Sequence, residues 1–98
     1  MNVEEYLTQN QESIEQECET IFQNGEKPII TVKESGDTYI FKVGTTEEFI
    51  KRIPDNKFFK KMRDGVTNAV SHKVIPIVVF KGQEAQIISL PDRFEMKQ

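Results

Sequence analysis

The sequence predicts an α+β fold in which two helix-strand-strand units form a four-stranded, mostly antiparallel sheet with two long helices on one face. Residues 74–80 are the most apolar run in the chain, and a run of that length is typical of a buried strand. Residues 28–33 have the same Pro-Ile pattern 48 positions earlier. Each run follows a segment with helical periodicity, and helices packed on an antiparallel sheet are the simplest arrangement for that order.

The chain length of 98 residues fits a single domain that spans residues 1–98. The 48-residue offset also aligns apolar positions of the two helical segments, so residues 3–49 and 55–94 form a candidate internal repeat. The alternative is a chance coincidence, because 37% of the residues are hydrophobic. Both interpretations stay open at this point.

The first helix is predicted from apolar residues that recur at helical spacing, with glutamates on the opposite side. They are Val3, Leu7, Ile14, Cys18 and Ile21. We expect one amphipathic helix that ends at Asn24 and Gly25, where glycine accepts a left-handed conformation. Cys18 lies at the centre of the stripe, which predicts a core residue rather than a reactive thiol.

The first hairpin is predicted from two β-prone runs, residues 28–33 and 38–43, separated by turn-forming residues at 34–37. Thr45 and Glu48 have the spacing of a capping box. They predict a short helix over residues 46–53 that ends before Pro54.

The second long helix is predicted to begin after Asp55 or Asn56, either of which can cap it. Its apolar stripe consists of Phe58, Phe59, Met62, Val66, Ala69 and Val70. The strand over residues 74–80, a turn at 81–83 and a strand over 85–90 that ends at Pro91 complete a second hairpin.

The strand over residues 74–80 is apolar on both faces, although two helices on one face of the sheet cover only one side of it. We therefore expect a second copy of the chain or a partner protein on the other face. The alternative cover is the C-terminal tail together with the short helix.

The charged residues are unevenly distributed, because residues 1–26 sum to -7 and residues 51–81 to +6. The acidic N-terminus differs from a signal or transit peptide, so we expect a cytoplasmic protein. The single cysteine cannot form a disulfide within the chain. Together with the single histidine it cannot supply the three or four ligands of a zinc site. No metal and no cofactor is predicted, and no membrane association.

Catalytic motifs are absent from the sequence, which has no Gly-rich phosphate loop and no nucleophile elbow. Ser71 and His72 are adjacent, but a catalytic base must be aimed at its nucleophile and oriented by a third group. We therefore predict that the protein is not an enzyme and has no small-molecule substrate.

A basic cluster is the main candidate for binding, since six basic residues fall within 13 positions. They are Lys51, Arg52, Lys57, Lys60, Lys61 and Arg63. Such a cluster attracts phosphate groups or an acidic protein surface. The alternative is an ordinary solvated helix face.

Each half of the chain has a Pro-Ile strand, a Gly-bearing turn, a second apolar strand and then an aromatic residue. In the first half, Pro28, Gly36 and Phe49 mark this pattern, and in the second half it runs from Pro76 to Phe94. The pattern resembles the prevent-host-death family of antitoxins, whose hallmark is a Pro-Ile-Ile-Thr strand before a Gly turn. The resemblance implies a small dimeric protein that binds operator DNA and holds a toxin.

The sequence thus leads to two functional hypotheses. The first is a small non-enzymatic binding protein, distantly antitoxin-like, that acts through a protein partner and forms a homodimer. The second is a small nucleic-acid-binding transcriptional regulator that uses the basic helix over residues 57–63.

Overall fold

A computed structural model of the chain describes residues 2–72, 74–82 and 84–88. It is an α+β structure with four helices and a four-stranded sheet among these residues. The elements in chain order are α1 (Val3–Gln9), α2 (Gln11–Gln23), β1 (Pro28–Ser35), β2 (Thr38–Thr45), α3 (Thr46–Arg52), α4 (Lys57–Ser71), β3 (Ile77–Lys81) and β4 (Glu84–Ile88).

The predicted first helix is two helices, because the chain breaks at Asn10. The Asn10 side-chain amide and backbone N–H both donate to the carbonyl of Tyr6, at 2.9 and 3.2 Å. The backbone bond is the normal helical one, but Asn10 has a φ of -106° and a ψ of 13°, outside the helical region. The additional side-chain bond to the Tyr6 carbonyl favours this local departure from the helix. The apolar stripe nevertheless continues across it, since Leu7 and Ile14 are both fully buried in one cluster.

The turn and cap predictions are confirmed, with small changes in length. The first hairpin turns at Gly36, which has a φ of 62°. β1 extends closer to the turn than predicted, to Ser35, and β2 extends further away from it, to Thr45. The Thr45 hydroxyl accepts the Glu48 N–H at 3.2 Å at the start of α3. The Asn56 side chain accepts the Phe59 N–H at 3.1 Å at the start of α4.

The sheet is mixed, with the strand order β2-β1-β3-β4. The two hairpins are antiparallel, but the central strands β1 and β3 pair in parallel, with Ile30 beside Ile77. The prediction of a mostly antiparallel sheet is therefore corrected. Each helix-strand-strand unit contributes its first strand to the centre of the sheet and its second strand to an edge.

The two long helices pack on opposite faces of the sheet, so the prediction that they share a face is wrong. Ile30 of β1 belongs to one buried cluster with Ile14 of α2. Its chain neighbour Ile29 belongs to a second cluster with Met62 of α4. Because successive strand residues point to opposite faces, the clusters lie on opposite sides, which we call the α2 face and the α4 face.

The parallel register explains why the helices separate. The repeat pairs Ile30 with Val78, 48 positions later, but the strands place Ile30 beside Ile77. That difference of one residue puts Ile30 on the α2 face and Val78 on the α4 face. Ile30 and Val78, which the 48-residue offset pairs, are thus each buried beneath the helix of their own half, but on opposite faces of the sheet. Common ancestry of the two halves stays a hypothesis.

The opposite placement also removes the reason for expecting a partner on an uncovered face. Val78 is fully buried beneath α4, while its neighbours Ile77 and Val79 are buried in the cluster that contains α2 residues. Both faces of this strand are therefore covered within one chain.

The predicted end of β4 at Pro91 and the second antitoxin-like pattern through Phe94 lie outside the described residues.

Candidate functional site: a basic surface on the α4 face

Three of the six predicted basic residues form one surface on α4. Lys57, Lys60 and Lys61 have i, i+3 and i+4 spacing and are all exposed. They lie on the side of the helix opposite Met62 and Val66, which are buried against the sheet. None of the three has an ion-pair partner within the part of the chain that the structure describes.

Lys51 and Arg52 lie on another element, in the last turn of α3. The Lys51 ammonium is 3.2 Å from the Glu47 carboxylate one turn earlier, and both side chains are mostly exposed. Such a pair contributes little to stability, but it offsets the charge of Lys51 locally. Arg52 is exposed and has no ion-pair partner among the described residues, so it stays a candidate binding residue at the end of α3.

Arg63 has a structural role. Its guanidinium donates to the Asp55 carboxylate at 3.1 Å and to the Ile53 carbonyl at 3.3 Å, and the side chain is 28% exposed. These bonds connect α4 to the segment that follows α3. They engage the Arg63 guanidinium within the chain, so we do not count Arg63 as part of the exposed lysine surface of α4.

Two lysines that the sequence alone did not single out lie on the same side of the sheet as the α4 lysines. Lys33 and Lys42 are exposed, and alternation along β1 and β2 puts them on the α4 face. Lys33 is beside Phe80 of β3, which packs against the same cluster as Phe59 of α4. We call the five residues together the basic surface. They are Lys33, Lys42, Lys57, Lys60 and Lys61.

The acidic residues of the N-terminal helices lie on the other side of the molecule. The exposed glutamates of α1 and α2, which we call the acidic layer, are Glu4, Glu5, Glu12, Glu15, Glu17 and Glu19. Residues 2–26 contain no lysine or arginine. Since α2 packs on the α2 face, the sheet separates the acidic layer from the basic surface, and the charge asymmetry of the sequence becomes a two-sided molecule.

Ser71 and His72 do not form a catalytic pair. The Ser71 hydroxyl donates to the Asn68 carbonyl at 2.8 Å, and His72 Nδ1 lies at the same distance from that oxygen. A carbonyl oxygen only accepts, so this geometry assigns a proton to Nδ1. That nitrogen cannot then take a proton from Ser71 Oγ, 3.3 Å away. Both residues complete the C-terminal end of α4.

Cys18 is confirmed as a core residue. Its side chain is 3% exposed in the cluster beneath α2. Burial, followed by the negative charges of Glu17 and Glu15, raises the pKa of the thiol to about 12. At neutral pH the group is therefore a buried thiol rather than a nucleophilic thiolate.

We predict that Cys18 lowers stability at alkaline pH. In the unfolded chain the thiol ionises near its ordinary pKa of about 9, whereas the folded chain keeps its proton up to about pH 12. The unfolded state therefore binds fewer protons above pH 9, and the free energy of unfolding falls as pH rises through that window. Thermal melting of wild type and Cys18→Ala between pH 8 and 10.5 measures this.

The expected result is that the two melting curves converge as pH rises, because only wild type loses the contribution of the protonated thiol. The comparison with Cys18→Ala cancels the titration of lysines and tyrosines, which both proteins share. A constant difference in melting temperature across the range would contradict the buried thiol.

A groove of about 540 Å³ lies where the turn before β1 meets the start of α3. Its charged residues are balanced in sign and consist of Glu26, Lys27, Glu47 and Lys51.

Among residues 2–72, 74–82 and 84–88, no group of three or more metal-ligating side chains is close enough to hold an ion. No described helix is both long and apolar enough for a bilayer crossing.

Comparisons with known proteins assign no family to this arrangement. No protein-family model matches the chain, and no curated protein or solved structure matches it significantly.

Proposed function

We propose that the chain is a non-enzymatic binding protein whose basic surface binds an acidic surface of a protein partner. The observation that carries this proposal is that five exposed lysines share the α4 face without an ion-pair partner in the described part of the chain. The six glutamates of the acidic layer are held on the other side of the sheet. Asp64, one turn after Lys60, is the one carboxylate on α4, so this helix surface keeps an excess of positive charge. The basic surface is therefore available to another molecule.

The expected role of these lysines is to steer and orient a partner. Each exposed ion pair contributes only about 0–1 kcal/mol, so the lysines alone do not give high affinity. A cluster of like charge nevertheless accelerates association with an acidic surface and excludes basic partners. Binding should therefore weaken steeply as salt increases.

Charge reversal tests the proposal. In the double variant Lys60→Glu/Lys61→Glu, an acidic partner meets repulsion where it had met attraction, so we expect at least about a tenfold loss of affinity. The measurement is recovery of bound proteins by the immobilised chain from a lysate of its source cells, followed by titration of the recovered protein.

The matched control is Lys27→Glu/Lys81→Glu, which changes net charge by the same amount at exposed sites outside the basic surface. We expect this control to bind like wild type. Equal losses in both double variants would mean that only net charge matters. Unchanged binding by Lys60→Glu/Lys61→Glu would overturn the proposal.

Nucleic acid is the second candidate ligand, favoured by the spacing of Lys57, Lys60 and Lys61 along one helix surface. The acidic layer lies on the opposite side and would not face the phosphates. Retention on heparin that falls steeply with salt, and that is lost in Lys60→Glu/Lys61→Glu, would support this candidate. Flow-through at low salt would exclude it.

Self-association is a further form of the proposed interaction, since the acidic layer of one copy complements the basic surface of another. The two surfaces lie on opposite sides, so such contacts are heterologous and do not close at two subunits. Light scattering after size exclusion should then show a mass that rises with concentration and falls with salt. A salt-independent dimer would instead indicate an interface elsewhere.

We further propose a distant relation to the prevent-host-death antitoxins. The order of β1, the turn at Gly36, β2 and the start of α3 supports it, because it follows the pattern of that family. The genomic neighbour tests the relation, since an antitoxin gene adjoins the gene of its toxin.

A further inference from the structure

One part of the α4 face is left open by the helices that cover the rest. Phe59 of α4 packs against the same cluster as Phe80 of β3 and Ala85 of β4, and α4 contacts β4, so α4 covers the half of the sheet formed by β3 and β4. Phe49 and Ile50 of α3 pack against the cluster that contains Ile29, at the start of β1. On the rest of this face the side chains of Lys33, Ile40 and Lys42 are exposed, so neither helix covers this part of β1 and β2.

This open area contains an exposed apolar side chain between two lysines. Ile40 is 58% exposed, and it is the one mainly exposed large apolar residue among those whose side chains the structure describes. Lys33 lies directly across from it on β1, and Lys42 lies two residues further along β2 and across from Thr31. We call Thr31, Lys33, Ile40 and Lys42 the open patch.

Two contacts fix the strands that carry the open patch. The Thr31 hydroxyl donates to the Lys42 carbonyl at 3.3 Å, which adds a bond between the two strands. On the α2 face of β2, Phe41 packs near Tyr6, and the Tyr6 hydroxyl accepts the Phe41 N–H at 3.0 Å. A contact between α1 and an edge-strand N–H blunts pairing with another strand. A partner would therefore meet the side chains of the patch.

We propose that the open patch binds an acidic segment of a partner protein, whose apolar side chain packs on Ile40 between Lys33 and Lys42. The inference rests on the proposed function and adds the anchor point and the chemistry of the partner segment. Both charged side chains on this part of the sheet are lysines, which attract anionic groups. The exposed Ile40 beside them favours an acidic peptide segment with an apolar side chain over a phosphate backbone. Burial of Ile40 supplies the apolar contact that exposed ion pairs lack.

The test uses the full chain labelled with 15N and three probes. The first is a short peptide of glutamates around a central leucine, the second has serine in place of that leucine, and the third is a short DNA duplex. Amide chemical shifts report where each probe binds. We expect the leucine peptide to shift Thr31, Lys33, Ile40 and Lys42, with about fivefold higher affinity than the serine peptide.

The variant Ile40→Thr keeps a β-branched residue in the strand and should remove the preference for leucine. If this variant still prefers the leucine peptide, or if the leucine peptide shifts only α4, the open patch is not the anchor and the inference fails. The proposed function would stand in that case, because its own test is the loss of binding in Lys60→Glu/Lys61→Glu. Shifts with DNA and none with either peptide would overturn both and favour nucleic acid.

Discussion

Replacing Val78 by aspartate is expected to abolish folding. Val78 is fully buried in the central strand β3, where it packs in one cluster with Val66 of α4. An aspartate there would bury a charge with no basic partner in its cluster, at a cost of several kcal/mol. A domain of this kind has about 5–15 kcal/mol of total stability. The measurement is thermal melting by circular dichroism, which should show no cooperative transition.

The control for this variant is Ile40→Asp, which introduces the same side chain in the same sheet. Ile40 is mainly exposed, so water solvates the new carboxylate and the variant should fold with a loss of about 1 kcal/mol. A wild-type melting curve for Val78→Asp would mean that β3 is not a central buried strand.

Truncation of one core side chain beneath each long helix is expected to give large and additive losses. Ile14 of α2 and Met62 of α4 are buried in different clusters on opposite faces of the sheet. Each change to alanine should lower the free energy of unfolding by about 2–5 kcal/mol, because it leaves a cavity. Urea unfolding measures the loss, with the same concentration of a stabilising osmolyte in every sample.

The double variant Ile14→Ala/Met62→Ala distinguishes two faces from one. Distant sites add within about 0.5 kcal/mol, whereas side chains in one cluster couple. We expect the loss in the double variant to equal the two single losses combined. A substantial coupling energy would indicate that the two helices share a core.

Local structure was predictable because its signals lie within a few residues of one another. The Thr45 cap, the Asn56 cap and the turn at Gly36 each follow from residue types at short spacing. The break at Asn10 was missed because the apolar stripe continues from Leu7 to Ile14 across it. Periodicity reports which side is buried, but it does not show that the backbone is continuous.

The relation between the two halves was not predictable, because it depends on a pairing between distant strands. The alternation of residues 74–80 is the same whether β3 pairs in parallel or antiparallel. A register one residue away from the 48-residue offset puts α2 and α4 on opposite faces. No residue of either strand specifies that shift on its own.

Only the helical part of the candidate site was predictable, because the rest depends on how distant strands pair. The spacing of Lys57, Lys60 and Lys61 identifies one helix surface without tertiary information. Lys33 and Lys42 join it only because β1 and β2 present them on the α4 face. The alternation in the hairpin could have grouped Lys42 with Ile40, but it could not show which helix shares that side.

The central claim is that α2 and α4 lie on opposite faces of the sheet. The sheet then separates the lysines of the basic surface from the glutamates of the acidic layer. Electron paramagnetic resonance between two nitroxide labels tests it directly. The labelling sites are Gln16→Cys on α2 and Asn68→Cys on α4, both exposed, in a Cys18→Ala background. Helices packed side by side have axes about 10 Å apart, whereas helices on opposite faces of a sheet are separated by roughly twice that.

The labels point outward, so the structure predicts a single distance distribution centred at about 30 Å or more. A distribution centred below about 20 Å would place the helices side by side. The glutamates of α2 would then neutralise the lysines of α4 within one chain, and the basic surface would not be available to a partner.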